Sequence, residues 1–249
     1  MSYIHNLFIE RGGVKNFALV CLSLMLFAGA CRGGAGLAAS DVAGAPPWQT
    51  KESLSYVMKN RAGQTAGQGT LGVAVQGSET ILSERIKTVT DTDDSWVVVD
   101  SLTLKPVAST RQFRTVQHTG QKPPEDIEVS YSGATASIKQ GEKETVLNIP
   151  PHSYDNYSSL FHWRTLPFHE GYESRYVNIV TNSGQLQTVT LRVGRLETVS
   201  VMAGEFQAWR LDMSQGSTKQ VAWFADTAAR PLVKYDNGHG YTFELEKLP

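Results

Sequence analysis

The sequence is poor in cysteine, lacks any long hydrophobic run and carries no block of one charge. Two cysteines in 249 residues, Cys21 and Cys31, are too few for a disulfide-stapled scaffold. The most apolar stretch, FALVCLSLMLFAGA from Phe17 to Ala30, has fourteen residues, short of the roughly 20 that a membrane-spanning helix needs. The formal net charge is −1 and the basic residues are scattered, so the basic patch of a nucleic-acid-binding chain is missing. Helical periodicity is also scarce, which excludes the crossovers of a parallel βαβ sheet.

Arg11 and Lys15 precede the apolar stretch and small residues end it, the arrangement of an export signal. Two cuts fit. Ala28-Gly29-Ala30 has the small-x-small pattern of an ordinary signal peptidase site. Cys31, directly after Ala30, resembles the lipobox of bacterial lipoproteins, with Ala28 where that motif more often has leucine. Either cut removes Cys21 and leaves Cys31 without an intramolecular partner in an oxidising compartment; acylation consumes that thiol. The lipobox resemblance makes Cys31 the lipidated first residue of the mature chain, with more than the single acyl chain that anchors only marginally. The same resemblance implies, from Arg32 rather than aspartate after the cysteine, the outer membrane of a Gram-negative envelope, with the domain expected to face the periplasm. Loss of residues 1–30 removes Glu10, Arg11 and Lys15 and takes the formal charge from −1 to −2. Residues 32–50, RGGAGLAASDVAGAPPWQT, have no periodic apolar face and read as a flexible leash. The expected organisation is a signal peptide at 1–30, a lipidated tether at 31–50 and one β domain at 51–249.

From Leu54 onward, two-residue alternation dominates, as in Ile127, Val129 and Tyr131 or Tyr241, Phe243 and Leu245. Turn signals recur at QGS (76–78), DTDD (91–94), SG (132–133), NSG (182–184), AGE (203–205) and DNGHG (236–240), a spacing suited to hairpins. Pro-Pro pairs at 46, 123 and 150 mark loops, since proline removes a ladder donor. One stretch, residues 153–168, breaks the pattern. Asp155 or Asn156 can cap a helix there, Tyr157, Leu160, Phe161 and Arg164 fall at helical spacing, and Pro167 ends it. The fold class expected is mainly β, a curved antiparallel sheet with one short helix.

Motifs with catalytic or metal chemistry are weak. GQGTLG (67–72) has the letters of a dinucleotide loop, but a strand-like LGVAVQG follows where a helix must begin, so the glycines read as a flexible loop and strand start. His162, His169 and Glu170 are the densest set of metal-ligand types, yet the histidines are seven apart with Pro167 between them, and they read as surface or loop residues on the helix and its exit. Asp91, Asp93 and Asp94 lack the glycine and distal glutamate of an EF-hand and read as a solvated acidic hairpin turn. No G-x-S-x-G elbow is present, and no cofactor or metal is implied.

The strands do carry large aromatics: Trp96, Phe113, Phe206, Trp209, Trp223, Phe224 and Phe243. Phe206 and Trp209, like Trp223 and Phe224, are an odd number of residues apart and point to opposite faces. One face is the core; helix and loops, or an apolar ligand, must cover the other. In the C-terminal third, ETVSVMAGEFQAWRLDM (197–213), VAWFAD (221–226), RPLVKYDNG (230–238) and YTFELEKL (241–248) resemble an exported bacterial family catalogued as domain of unknown function 3108, as do WVVVDSLTLKPVAST (96–110) and LPFHEGY (166–172). The resemblance covers about residues 67–248. It implies a half-barrel or open barrel similar to those of the lipoprotein-carrier and lipoprotein-acceptor system, whose concave face holds acyl chains.

The function expected is therefore a non-enzymatic envelope lipoprotein, tethered to the membrane through Cys31 and binding a lipid or other apolar ligand. Phe206, Trp209, Trp223 and Phe243 are the residues expected to line core or cavity. The alternative is an interaction module that holds an envelope protein by a strand edge; an envelope hydrolase using His162, His169 and Glu170 is a weaker third. Cys31→Ala is expected to abolish membrane partition and to remove the acyl mass from the mature protein; unchanged partition and mass would show that this anchor does not exist.

Overall fold

The structure, a computed structural model, describes residues 37–115 and 126–248. Cys31, the apolar segment and the Pro-Pro pair at 123 lie outside the described residues.

Alternating sequence becomes a single sheet of fifteen strands. Eight form a meander: β1 (Lys51–Asn60), β2 (Thr65–Gln76), β3 (Glu79–Thr88), β4 (Asp91–Asp100), β5 (Pro106–Thr115), β6 (Ile127–Ser132), β7 (Thr135–Gln140) and β8 (Lys143–Asn148). After a three-residue β9 (Ser153–Asp155) come a 3-10 turn at Asn156–Ser158 and α1 (Ser159–Arg164). A second meander follows: β10 (Glu173–Val180), β11 (Gln185–Val201), β12 (Gly204–Gln215), β13 (Thr218–Ala225), β14 (Leu232–Asp236) and β15 (Tyr241–Lys247). The two meanders join where β15 pairs with β1, so chain start and chain end meet mid-sheet and β8 and β9 become the edges. All pairings are antiparallel except β9 with β10, which is parallel over three residues.

So many twisted strands cannot stay flat. The sheet rolls up, helped by bulges at Val193/Leu196 and Trp223/Phe224, and its ends overlap instead of closing. Tyr131 of β6 donates to Asp155 of β9, and Thr145 of β8 lies against the β10–β11 turn at Gly184. The β9 edge is thereby buried, whereas β8 is exposed along much of its length. The turns at 61–64, 89–90, 141–142, 181–184, 216–217 and 237–240 form one rim of the roll, here the upper. The lower rim carries 77–78, 101–105, 133–134, 202–203 and 226–231, with the start of β1 and the end of β15.

The helix runs inside the roll toward the lower rim. Asp155 caps the turn before it by accepting from the Tyr157 amide at 2.8 Å. Phe161 and Trp163 are buried among Tyr154, Tyr176, Leu211, Phe224 and Tyr235 in the main core, and Trp163 Nε1 donates to Tyr176 Oη at 3.1 Å. Arg164, at the last helical position, forms a buried two-pronged ion pair with Glu52 of β1. Helix and loops thus cover the concave face.

Three local expectations change. The GQGTLG glycines lie within β2, because close approach demands them: a Cβ at Gly67 would sit 2.4 Å from the Lys87 carbonyl oxygen, and one at Gly69 would sit 3.2 Å from the Phe243 ring. DTDD opens β4 and is not the turn, because its carboxylates pair across strands, Asp93 with Arg111 and Asp94 with Arg85. The third change concerns the leash. Residues 40–48 are docked across the lower rim: Ser40 N donates to Arg175 O at 2.8 Å, Gly44 N to Thr165 Oγ1 at 2.9 Å, and Trp48 meets Phe161 edge-on at 6.5 Å. Val42 is buried in the main core and Asp41 accepts from Tyr154 Oη and Lys105 Nζ. A Gly/Ala-rich composition masks this strap, since one valine, one aspartate and one tryptophan do the docking. Val42→Asp places an unpaired charge in the core, which costs several kcal/mol if the strap stays or about 2 kcal/mol if it detaches. A denaturation midpoint equal to wild type would show that the strap contributes nothing.

Candidate functional site

The concave face is where a ligand was expected, and α1 decides what space is left there. Two small cavities flank the helix toward the upper rim. The first, about 20 Å³, lies among Tyr56, Gly69, Leu71, Ile86, Leu160 and Phe243; the second, about 30 Å³, lies among Asn156, Trp163, Asn178, Gln215, Gln220 and Tyr235. Each has the volume of a water molecule or two, far less than an acyl chain. Glu84 borders both.

Strand parity puts these polar groups inside. Leu82 and Ile86 are core residues and Glu84 sits between them; Tyr176 is a core residue and Asn178 is two positions on. Across β4 and β5, Arg111 clasps Asp93 through Nε at 2.8 Å and Nη2 at 2.6 Å, with both side chains largely buried. Burial and the neighbouring Asp93 carboxylate push the half-buried Glu84 carboxyl up to about 7, against the pull of Arg111. Around it the hydrogen bonds are partly closed. Tyr235 Oη donates to Gln220 Oε1 at 2.7 Å and Asn178 Nδ2 to Gln215 Oε1 at 3.2 Å, while Asn156 Nδ2 and Asn178 Oδ1 find no protein partner. The upper mouth of the roll is thus a polar pocket sized for water, with one carboxyl that titrates near neutrality.

The four aromatics singled out from sequence do not line one cavity among the described residues. Phe243 faces inward, stacks on Tyr235 with ring centroids 6.0 Å apart, and borders the first cavity. Trp209 packs partly against the main core and donates from Nε1 to Asp226 at 3.0 Å. Trp223 lies with Val199, Ala208, Ala225 and Val233 in a separate cluster, where Arg210 and Lys234 approach its ring at 5.6 and 5.9 Å. Phe206 packs against both clusters.

His162 is no surface residue. It is fully buried against Tyr154, and Nε2 donates to the Leu104 carbonyl at 3.1 Å, which leaves Nδ1 to face Ser158 Oγ at 3.3 Å. Burial pushes its pKa down to about 3, so it stays neutral and ties α1 to the β4–β5 turn. His169 is in the exposed loop after α1, apart from it, and no group of three metal-ligand side chains occurs among the described residues. Glu84, Asp93, Arg111, Asn156 and Asn178 were missed. For the four in strands the signal was a polar residue at an inward parity position, which alternation alone does not distinguish from a strand that reverses face; Asn156, in the 3-10 turn, carried no such signal.

The family model for proteins of unknown function, DUF3108, matches residues 55–245. The chain belongs to that family. The match spans the sheet from β1 to β15 and takes in α1, so the family signature is the roll itself. Comparison with curated proteins gave no match. Among solved structures, a β-barrel-like protein of domain of unknown function DUF1849 from Brucella abortus superposes with a TM-score of 0.54 at 10% identity, over 81% of this chain and 98% of that one. At that identity the likeness is one of fold. A protein described as exported, with a YmcC-like fold, from Bacteroides fragilis gives 0.31 at 12% identity over 83% and 99% of the two chains. One described as a lipoprotein from Parabacteroides distasonis gives 0.30 at 9% over 85% and 100%. These two overlaps are too loose to bear on the fold.

A carboxyl raised in the folded state binds its proton more tightly there than in the unfolded chain. Glu84 therefore favours folding most below its ordinary value of 4.5, and that contribution is lost as pH rises to about 7. Glu84→Gln is expected to gain on wild type by on the order of 2 kcal/mol between pH 4 and pH 8, read by denaturant unfolding. A difference that is the same at both pH values would contradict this.

Proposed function

We propose that the mature protein is a non-enzymatic, lipid-anchored envelope protein that acts as an interaction module. It presents the edge of β8 to an extended segment of a partner protein. The observation that supports this is the packing of α1 against the concave face, where the two cavities found beside it among the described residues have volume for a few waters and not for a lipid tail. Export and anchoring rest on the signal-like segment and on Cys31, with the outer membrane as the expected site.

An edge strand is a row of unpaired backbone donors and acceptors, a ready template for strand addition. Of the two edges, β9 is buried under the overlap, and β8 has no backbone partner on its outer side among the described residues. Val146, in the middle of β8, is 63% exposed. The apolar-ligand reading requires α1 to leave the roll, breaking the Arg164–Glu52 pair and uncovering Phe161 and Trp163.

A photo-cross-linking side chain at Val146, in cells, is expected to give a discrete protein adduct that the same group at Val89, exposed at the β3–β4 turn, does not. No adduct at Val146, or the same adducts at both positions, would sink the proposal.

A further inference from the structure

We infer that the lower rim faces the lipid bilayer, with Leu102 and Met202 at the membrane surface and the polar mouth turned away from it. This rests on the reading of Cys31 as the acylated residue and goes beyond it by orienting the domain.

Reach limits how the domain can sit on its anchor. A leash of residues 32–50 would let the domain adopt any orientation, but the strap takes up most of that length. Arg175 Nη1 donates to the Leu37 carbonyl at 2.9 Å and its own carbonyl accepts from Ser40 N, so the chain is held from Leu37 onward near the start of β10, at the lower rim. Six residue steps separate Leu37 from Cys31. Fully extended they reach about 20 Å. Strands such as β3 and β4 have ten residues, which puts the rims about 25–30 Å apart once strand tilt is allowed for. With its upper rim on the membrane, the domain would hold Leu37 farther from the bilayer than its tether extends.

The side chains on the two rims agree with that limit. On the lower rim, Leu102 at the β4–β5 turn is 87% exposed and Met202 at the β11–β12 turn is 61% exposed; Leu37 on the strap and Leu248 after β15 are exposed as well. The Ala203 amide donates to Leu245 O, which brings the Met202 turn beside the end of β15 and so beside Leu248. Such tips gain by entering the headgroup layer. On the upper rim, Val89 is exposed at the β3–β4 turn, but the mouth beside it is ringed by Glu84, Asn156, Asn178, Gln215 and Gln220. The lower rim's charges are mixed, Lys51, Lys105 and Lys247 lying among Asp100, Glu205 and Glu246, so tether and apolar tips, not attraction to anionic lipid, hold the contact.

The test uses the full chain, exported and processed in a bacterial host, in nanodiscs of phosphatidylethanolamine and phosphatidylglycerol. Leu102→Cys, Met202→Cys and, as the upper-rim reference, Val89→Cys each supply a single labelling thiol once Cys31 is acylated, and all three lie at exposed tips where folding is insensitive to the change. A fluorophore at 102 and at 202 is expected to be quenched several-fold more by a headgroup-level lipid nitroxide than one at 89, and to remain so in high salt. Equal quenching at all three, or stronger quenching at 89, in protein whose intact mass includes the acyl chains, would overturn the orientation and leave the anchor standing. A mass without acyl chains would overturn the anchor and the orientation with it.

Discussion

The packing of α1 against the concave face of its own sheet is the contact on which the rest of this structure depends. A rolled sheet exposes an apolar inner surface that must be covered, and here the cover is supplied in the chain between the two meanders. Phe161 and Trp163 reach strands from both halves, and Arg164 closes on Glu52 at the start of β1. The pair is buried, so it is weak evidence for net stability. Its consequence is geometric: the end of the helix is fixed to the strand at which the meanders join.

The same packing divides the interior. Toward the lower rim the roll is filled, by the helix, by Leu104 and Leu166, and by Val42 of the strap. Toward the upper rim the helix has not yet begun, and polar inward residues, Glu84 and the ring of amides, take the space. The interior is thus filled at one end and polar at the other. The overlap of the sheet ends completes the asymmetry, since it buries β9 and leaves β8 as the accessible edge.

Much of this was legible in the chain. Alternation, turn signals and the break at 153–168 led to a mainly β roll with one short helix, and the family motifs marked strands that do run through the sheet. The misreadings share a cause. Gly67 and Gly69 looked like a loop, DTDD like a turn, His162 like a surface group and residues 40–48 like a leash, because each is defined by a neighbour distant in sequence: Lys87 and Phe243, Arg111 and Arg85, Leu104, Thr165 and Arg175.

The sequence by itself determined most of the strands and turns and that a helix interrupts them, since periodicity, glycine and proline act over a few residues. It also placed the signal-like segment and Cys31. Only the tertiary structure decided that the helix goes inside the roll, that residues 40–48 dock across its lower rim, that Glu84 borders water-sized cavities and that, of the two sheet edges among the described residues, β8 is the exposed one. Those outcomes are set by how the sheet curls and where its ends overlap, a sum of small twists and bulges that no local pattern specifies.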